Sequence, residues 1–260
     1  MTIQNFLAPI TGRSAAVSLP DAETWMQGRT LYGGASALVA YTQATRAFPD
    51  LPPLRAAQIG FVAPLGGDIE LRAEIARQGR SVTQIRSEIH QDGKLALTAF
   101  FLFAEPREPN AMFTAEKPTD FPAPPSENDD AISHKGPVFL RSNFEIRRAQ
   151  DTRGPGAPVV RRWARLKDGS DLDPISELVL LGDVLPPGAM RAMQRQGPIS
   201  SINWSFNLLD TNPQTEDGWW VSENASQHAD AGYSSERLRL WNSSGQLVID
   251  GLQSLSLIHI

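Results

Sequence analysis

Gly33-Gly34-Ala35-Ser36-Ala37-Leu38-Val39-Ala40-Tyr41-Thr42-Gln43-Ala44-Thr45-Arg46-Ala47-Phe48 is the stretch from which the fold can be read. Ala35, Leu38, Val39 and Thr42 recur at i, i+3, i+4 and i+7, the spacing of one helix face. This predicts a helix over Ala35–Phe48, stopped by Pro49, Pro52 and Pro53. The period then changes. Leu54–Pro64 reads as a strand. In Asp68–Ala76 the residues Ile69, Leu71, Ala73 and Ile75 alternate with Glu70, Arg72 and Glu74, as in a half-buried strand. Ser81–His90 is another strand, Gln91-Asp92-Gly93 a tight turn, and Lys94–Phe103 a strand apolar on both faces, which suits the middle of a sheet.

The plan recurs further along. Asn143–Gln150 and Pro158–Lys167 read as strands. Asp173-Pro174, an acidic N-cap followed by proline, opens a helix whose stripe is Ile175, Leu178, Val179 and Gly182, and Pro186-Pro187 ends it. The strands Ser201–Leu209, Gly218–Ala229, Ser234–Asn242 and Gln246–Ile258 follow. Gln91–Leu97 lies over Ser243–Ile249 at a constant offset of 152, and Leu54–Phe61 lies over Ser201–Leu208 at another offset. Shared element order at low identity points to a duplication. Each sheet must bury one apolar face, and its single helix is the only large apolar object within reach. A sheet curled around one helix is the hot-dog arrangement. The fold expected is therefore α+β, a double hot-dog of two tandem helix-plus-antiparallel-sheet units.

Seven of the 20 prolines (Pro106, Pro109, Pro118, Pro122, Pro124, Pro125 and Pro137) fall within Glu105–Pro137, which shows no sustained period. It reads as a linker. The expected division is residues 1–104, a first hot-dog unit; 105–137, the linker; and 138–260, a second unit carrying the site. The 260 residues are 41% hydrophobic, enough for a sizeable core. A net charge of −5 argues against a general nucleic-acid binder. The absence of cysteine excludes disulfides, thiolate catalysis and cysteine-ligated metal, and suits a reducing, cytoplasmic setting. No signal peptide and no membrane-length apolar run are read from the sequence.

Other motifs are sparse. There is no phosphate loop of the G-x-x-x-x-G-K-S/T type, no dinucleotide fingerprint and no G-x-S-x-G elbow. His90, His134, His228 and His259 lack ligand spacing, so no metal is expected. Asp168–Asp173 lacks the glycine and glutamate offsets of a calcium loop. Arg147-Arg148, Arg161-Arg162 and Arg165 read foremost as a solvated sheet face, with the phosphates of a ligand as the rival partner. One ring of Trp219-Trp220 is expected in the core and the other at a subunit contact.

Several segments resemble the acyl-CoA thioesterase II (TesB-like) family. They are Gly28-Arg29-Thr30-Leu31-Tyr32-Gly33-Gly34; Gly79-Arg80-Ser81-Val82 with Gln91-Asp92-Gly93-Lys94; Leu180-Leu181-Gly182-Asp183-Val184-Leu185-Pro186; Ser201-Ile202-Asn203-Trp204-Ser205-Phe206; and Asn242–Leu247 with Gln253. The resemblance runs from about Ala16 to Ile258. It implies hydrolysis of acyl-CoA to free acid and CoA by an activated water, without a cofactor, in a homo-oligomer. It assigns catalysis to Asp183, Ser201 and Gln253. Two departures stand out: Ser201 replaces a threonine, and Asn203-Trp204 replaces an Asp-His pair of some members. The alternative is a non-catalytic acyl or CoA binder on the same scaffold.

The residues themselves leave each role open. Gln253 shares its strand face with Leu247, Ile249, Leu255 and Leu257, so its amide must find partners, either in the core or at a site. Asp183 ends a helix, where the dipole and partial burial both raise a carboxyl pKa. Strict alternation places Ile202, Trp204, Phe206 and Leu208 on the apolar face and turns Ser201 away, favouring Ser200; a bulge at the strand start brings Ser201 inward. Phe101 takes the place of Gln253 in the first repeat, and the helix Ala35–Phe48 has no acid. One centre per chain is therefore expected. The N–H groups of Gly33, Gly34 and Ala35 read foremost as a tight turn into a helix, with thioester polarisation as the rival.

Overall fold

A computed structural model describes residues 2–126, 131–132, 135–150, 156–168, 172–195 and 197–257. A short helix α1 (Ile3–Leu7) leads into β1 (Ser14–Ser18), a small hairpin β2 (Met26–Gln27) and β3 (Thr30–Leu31), and helix α2 (Gly33–Ala47). Four long strands follow: β4 (Leu54–Phe61), β5 (Asp68–Gln78), β6 (Val82–Gln91) and β7 (Lys94–Ala104). The second unit has α3 (Val138–Asn143), β8 (Phe144–Arg148), β9 (Val159–Leu166) and α4 (Pro174–Leu181). It closes with β10 (Ile199–Leu208), β11 (Trp220–Asp230), β12 (Tyr233–Trp241) and β13 (Leu247–Leu257).

Eleven strands form one antiparallel sheet in the order β1-β5-β6-β7-β4-β10-β13-β12-β11-β9-β8. Read outward from its middle, β4-β7-β6-β5-β1 and β10-β13-β12-β11-β9 are the same topology twice, with β8 added at one end. Helix α2 lies in sequence between β1 and β4, and helix α4 in the same place between β9 and β10, as the double hot-dog requires. The units join where β4 pairs with β10, Gly60 opposite Asn203 and Ala57 opposite Phe206. The repeat extends to single residues. Phe101 pairs with Ala57 and Ile85, and Gln253 pairs with Trp204 and Glu236 on the corresponding strands.

Sequence explains these elements locally. Helix α2 is built mostly of small residues and is buried from Gly34 to Ala44, so the sheet can close on it. Helix α4 has Leu178, Val179, Leu180 and Leu181 all buried, as expected of a helix enclosed on all sides. Asp173 caps it, accepting from the N–H groups of Ile175 and Ser176 at 3.0 Å, a contact worth about 1 kcal/mol. One hydrophobic core runs through both units.

Some expectations are corrected. Strand β1 pairs with β5; it was missed because five residues with Ala15 and Ala16 make a faint alternation. Residues 138–143 are helical, so the strand expected from Asn143 begins at Phe144. Trp219 is already buried within the chain, in a second cluster on the outer face of the sheet, with Trp163, Val221 and Trp241. The proline-rich stretch runs over this cluster. Phe121 packs edge-on to Trp163 and Trp241, and Asp120 pairs with Arg161 at 2.9 Å. His134, His259 and residues 169–171 of the calcium-like stretch lie outside the described residues. His228 is exposed.

Candidate active site

Helix α4 must end abruptly to put Asp183 where it is. Gly182 settles onto the Trp204 ring so closely that a Cβ there would lie 2.3 Å from ring atoms. The chain then delivers Asp183 to the first turn of α2, in the other unit. A Cβ on Gly33 would fall 2.1 Å from Asp183 Oδ2, so only glycine leaves room for the carboxylate. Tyr32, fully buried, fixes this junction: its hydroxyl donates to the carbonyl of Leu180 at 2.7 Å, and its ring stacks on Phe139 at 4.2 Å.

Strand β10 supplies Ser201. Ser201 faces Leu255 on β13, but Asn203 faces Ser254, so Ile202 is an extra residue in a β-bulge. The bulge reverses alternation at that point. Ile202 is 40% exposed rather than on the apolar face, Ser200 is exposed, and Ser201 turns inward. Gln253 on β13 is 2% exposed. Its Nε2 donates to Asp183 Oδ1 at 2.8 Å and to Ser201 Oγ at 3.0 Å. The three residues named from the sequence thus meet around one amide.

Burial pushes the Asp183 carboxyl up to about 7, against the opposing pull of the Gln253 hydrogen bond. The nearby carboxylate and above all burial hold the Tyr32 phenol well above its ordinary range. Asp183 as a residue is part-buried, while its carboxyl lies in the desolvated end of the site. A carboxylate titrating near neutrality, beside a hydroxyl that still has its own proton to donate, is suited to orient and deprotonate a water. The first turn of α2 lies beside it, presenting N–H groups that have no acceptor within the helix.

Two further residues went unnoticed in the sequence. Glu236, fully buried on β12, accepts from the N–H groups of Gly188 and Ala189 at 2.8 and 3.3 Å and from Ser234 at 2.5 Å. Asn224 donates to the carbonyls of Leu185 and Pro186 at 3.0 and 3.3 Å. Together they grip the segment immediately after Asp183. The available signal was an acid at an inward position of Ser234–Leu240. Among the described residues no cluster of three or more His, Asp or Glu side chains could hold a metal ion. Nor is any helix there long and apolar enough to cross a membrane.

Models of the N-terminal and C-terminal domains of acyl-CoA thioesterase match residues 21–104 and 115–257. The chain belongs to the acyl-CoA thioesterase family. No curated protein matches this thioesterase-family chain. Solved structures resemble it along its length. A hot-dog-fold protein of unknown function from Alicyclobacillus acidocaldarius superposes with a TM-score of 0.86 at 18% identity, covering 100% of this chain and 99% of its own. A TesB protein of Mycobacterium avium subsp. paratuberculosis gives 0.72 at 19%, covering 95% and 94%. The acyl-CoA thioesterase II TesB2 of Mycobacterium marinum gives 0.69 at 16%, covering 88% and 89%. At these identities the structural likeness establishes the double hot-dog fold.

Proposed function

We propose that this chain hydrolyses acyl-CoA thioesters by direct attack of water, with Asp183 as general base and Ser201 and Gln253 as the groups that position it. The observation carrying this reading is the single amide of Gln253 bonded to both Asp183 and Ser201. Gln253 aims the carboxylate, and Ser201 offers the attacking water a second partner. As the water oxygen adds to the thioester carbon, Asp183 takes its proton. Negative charge then develops on the carbonyl oxygen, and the N–H groups at the start of α2 are placed to stabilise it. Collapse of the tetrahedral adduct breaks the carbon–sulfur bond. The CoA thiolate leaves and takes up the proton that Asp183 had accepted, which restores the carboxylate, and the free acid remains. The reading extends to a homo-oligomer acting in the cytoplasm.

The test is thiol release by the purified chain over a series of acyl-CoA chain lengths. Turnover for at least one chain length, abolished in Asp183→Ala, is expected. Tight acyl-CoA binding without thiol release at any length overturns hydrolysis in favour of a carrier or sensor.

A further inference from the structure

Strand β9 carries a charge where its pattern calls for hydrocarbon. Val160, Arg162, Ala164 and Leu166 share the face turned toward the core, and all but Arg162 belong to the main apolar cluster. Arg162 is half-buried among them. On β8 the residue directly opposite is Arg148, and on β11 it is Ser222. Arg148, Arg162 and Ser222 therefore form one row across three adjacent strands, on one face. Arg191, closing the turn Gly188–Arg191, lies alongside and donates Nη1 to the carbonyl of Val159 at 3.0 Å.

This row is unfavourable as it stands. Like charges directly opposite on neighbouring strands repel, and a guanidinium drawn out of water needs an anionic partner. Among the described residues no carboxylate pairs with Arg148 or Arg162. The hydrogen bond of Arg162 goes to the carbonyl of Arg161, at 2.6 Å. Ser222 Oγ is buried without a hydrogen-bond partner among the described residues, on a residue 1% exposed. Burial, with repulsion from Arg148 and Arg191, pushes the Arg162 guanidinium down to about 10.

The opposite face of the same strands behaves otherwise. Arg147 and Arg165 meet Glu145; Arg161 and Arg239 meet the buried Glu223, and Arg161 also meets Asp120. The sequence runs Arg147-Arg148 and Arg161-Arg162 thus split between a neutralised outer face and an inner one that has no carboxylate partner among the described residues.

The geometry points to the row Arg148–Arg162–Ser222, with Arg191 beside it, as a binding site for a phosphoanion. Guanidinium forks and a hydroxyl present hydrogen-bond donors to a ligand, and phosphate offers multiple acceptor oxygens and more than one negative charge to match them. Two sources share that chemistry: the phosphate groups of CoA, and a free phosphate or nucleotide. The inference rests on charge and register and does not depend on thioester hydrolysis.

The test is thermal-shift titration of the full chain with inorganic phosphate and with ADP, against chloride at matched ionic strength. Wild type is expected to gain a saturable rise in Tm. In Arg162→Gln and Arg148→Gln the half-saturating concentration rises roughly tenfold or more, and in Ser222→Ala it rises less. Arg148 is exposed, so its variant keeps the test meaningful if Arg162→Gln fails to fold. No saturable rise in wild type, or an identical one in Arg148→Gln, overturns the site. Kinetics then separate the sources, using acyl-CoA and the same acyl group on N-acetylcysteamine, which has no phosphate. A KM increase confined to acyl-CoA in Arg148→Gln assigns the site to CoA. Unchanged KM on both substrates, with the phosphate response weakened, assigns it to free phosphate or a nucleotide. No turnover of either thioester by wild type counts against hydrolysis and leaves the phosphate titration as the readout for this site.

Discussion

Each unit buries a glutamine, and the two do different things. Gln43, on helix α2 of the first unit, donates to the carbonyl of Arg13 at 3.3 Å and accepts from Ser87 at 2.9 Å. Its partners are a backbone group and a hydroxyl, and the bonds satisfy the core. Gln253, on strand β13 of the second unit, spends its amide on the carboxylate of Asp183 and the hydroxyl of Ser201, side chains of two part-buried residues. Phe101 fills the position in the first unit that Gln253 fills in the second, packing against Tyr41 and Phe103. A duplicated plan has thus kept one copy as packing and equipped the other with a titratable site. The first copy still supplies the first turn of α2, against which Asp183 rests.

That asymmetry can be broken in a graded way. Asp183→Asn removes the proposed base while preserving shape, and thiol release is expected to fall by about 10²–10⁴-fold. Gly33→Ala, in the first unit, puts a methyl group where Asp183 Oδ2 now lies. Displacing the carboxylate by about 1 Å should cost about 10²-fold in kcat, while circular dichroism stays unchanged because alanine suits a helix. Ser201→Ala should lower kcat about tenfold, the effect of about 1.4 kcal/mol, whereas the adjacent Ser200→Ala should leave it unaltered. Gln43→Leu should leave kcat and KM as they are. It strands the Ser87 hydroxyl and should lower stability by about 1–3 kcal/mol in urea unfolding. A large loss of kcat in Gln43→Leu with the fold intact would contradict the division of labour.

The repeated helix-then-strands order was legible in the sequence because alternation and helical spacing are local signals, and burial of one sheet face leaves little choice of partner. Asp183 and Gln253 were named by the family resemblance; the pattern alone showed a carboxylate at the edge of a helix stripe and an amide on an apolar strand face, and left both roles open. Ser201 was only half legible. Alternation pointed to Ser200, and the bulge at Ile202 that corrects it depends on pairing with β13. Gly33 looked like a turn residue because its contact with Asp183 spans 150 positions, a distance no local pattern encodes. Glu236 and Asn224 were hidden for the same reason: their partners are backbone groups of a distant loop.

The central claim is that Asp183 works as a base whose pKa burial has raised to about 7. A base acts when deprotonated, so the sign is fixed. Hydrolysis should rise with pH below about 7 and level off above it. Glu177, on α4, is also pushed up to about 7, chiefly by burial, so the profile must be measured in Asp183→Asn as well. The decisive measurement is kcat for acyl-CoA hydrolysis from pH 5 to 9 in wild type and in Asp183→Asn. The account predicts a single ascending inflection near 7 in wild type and its loss from the residual activity of the variant. A flat wild-type profile, or the same inflection in Asp183→Asn, would contradict it.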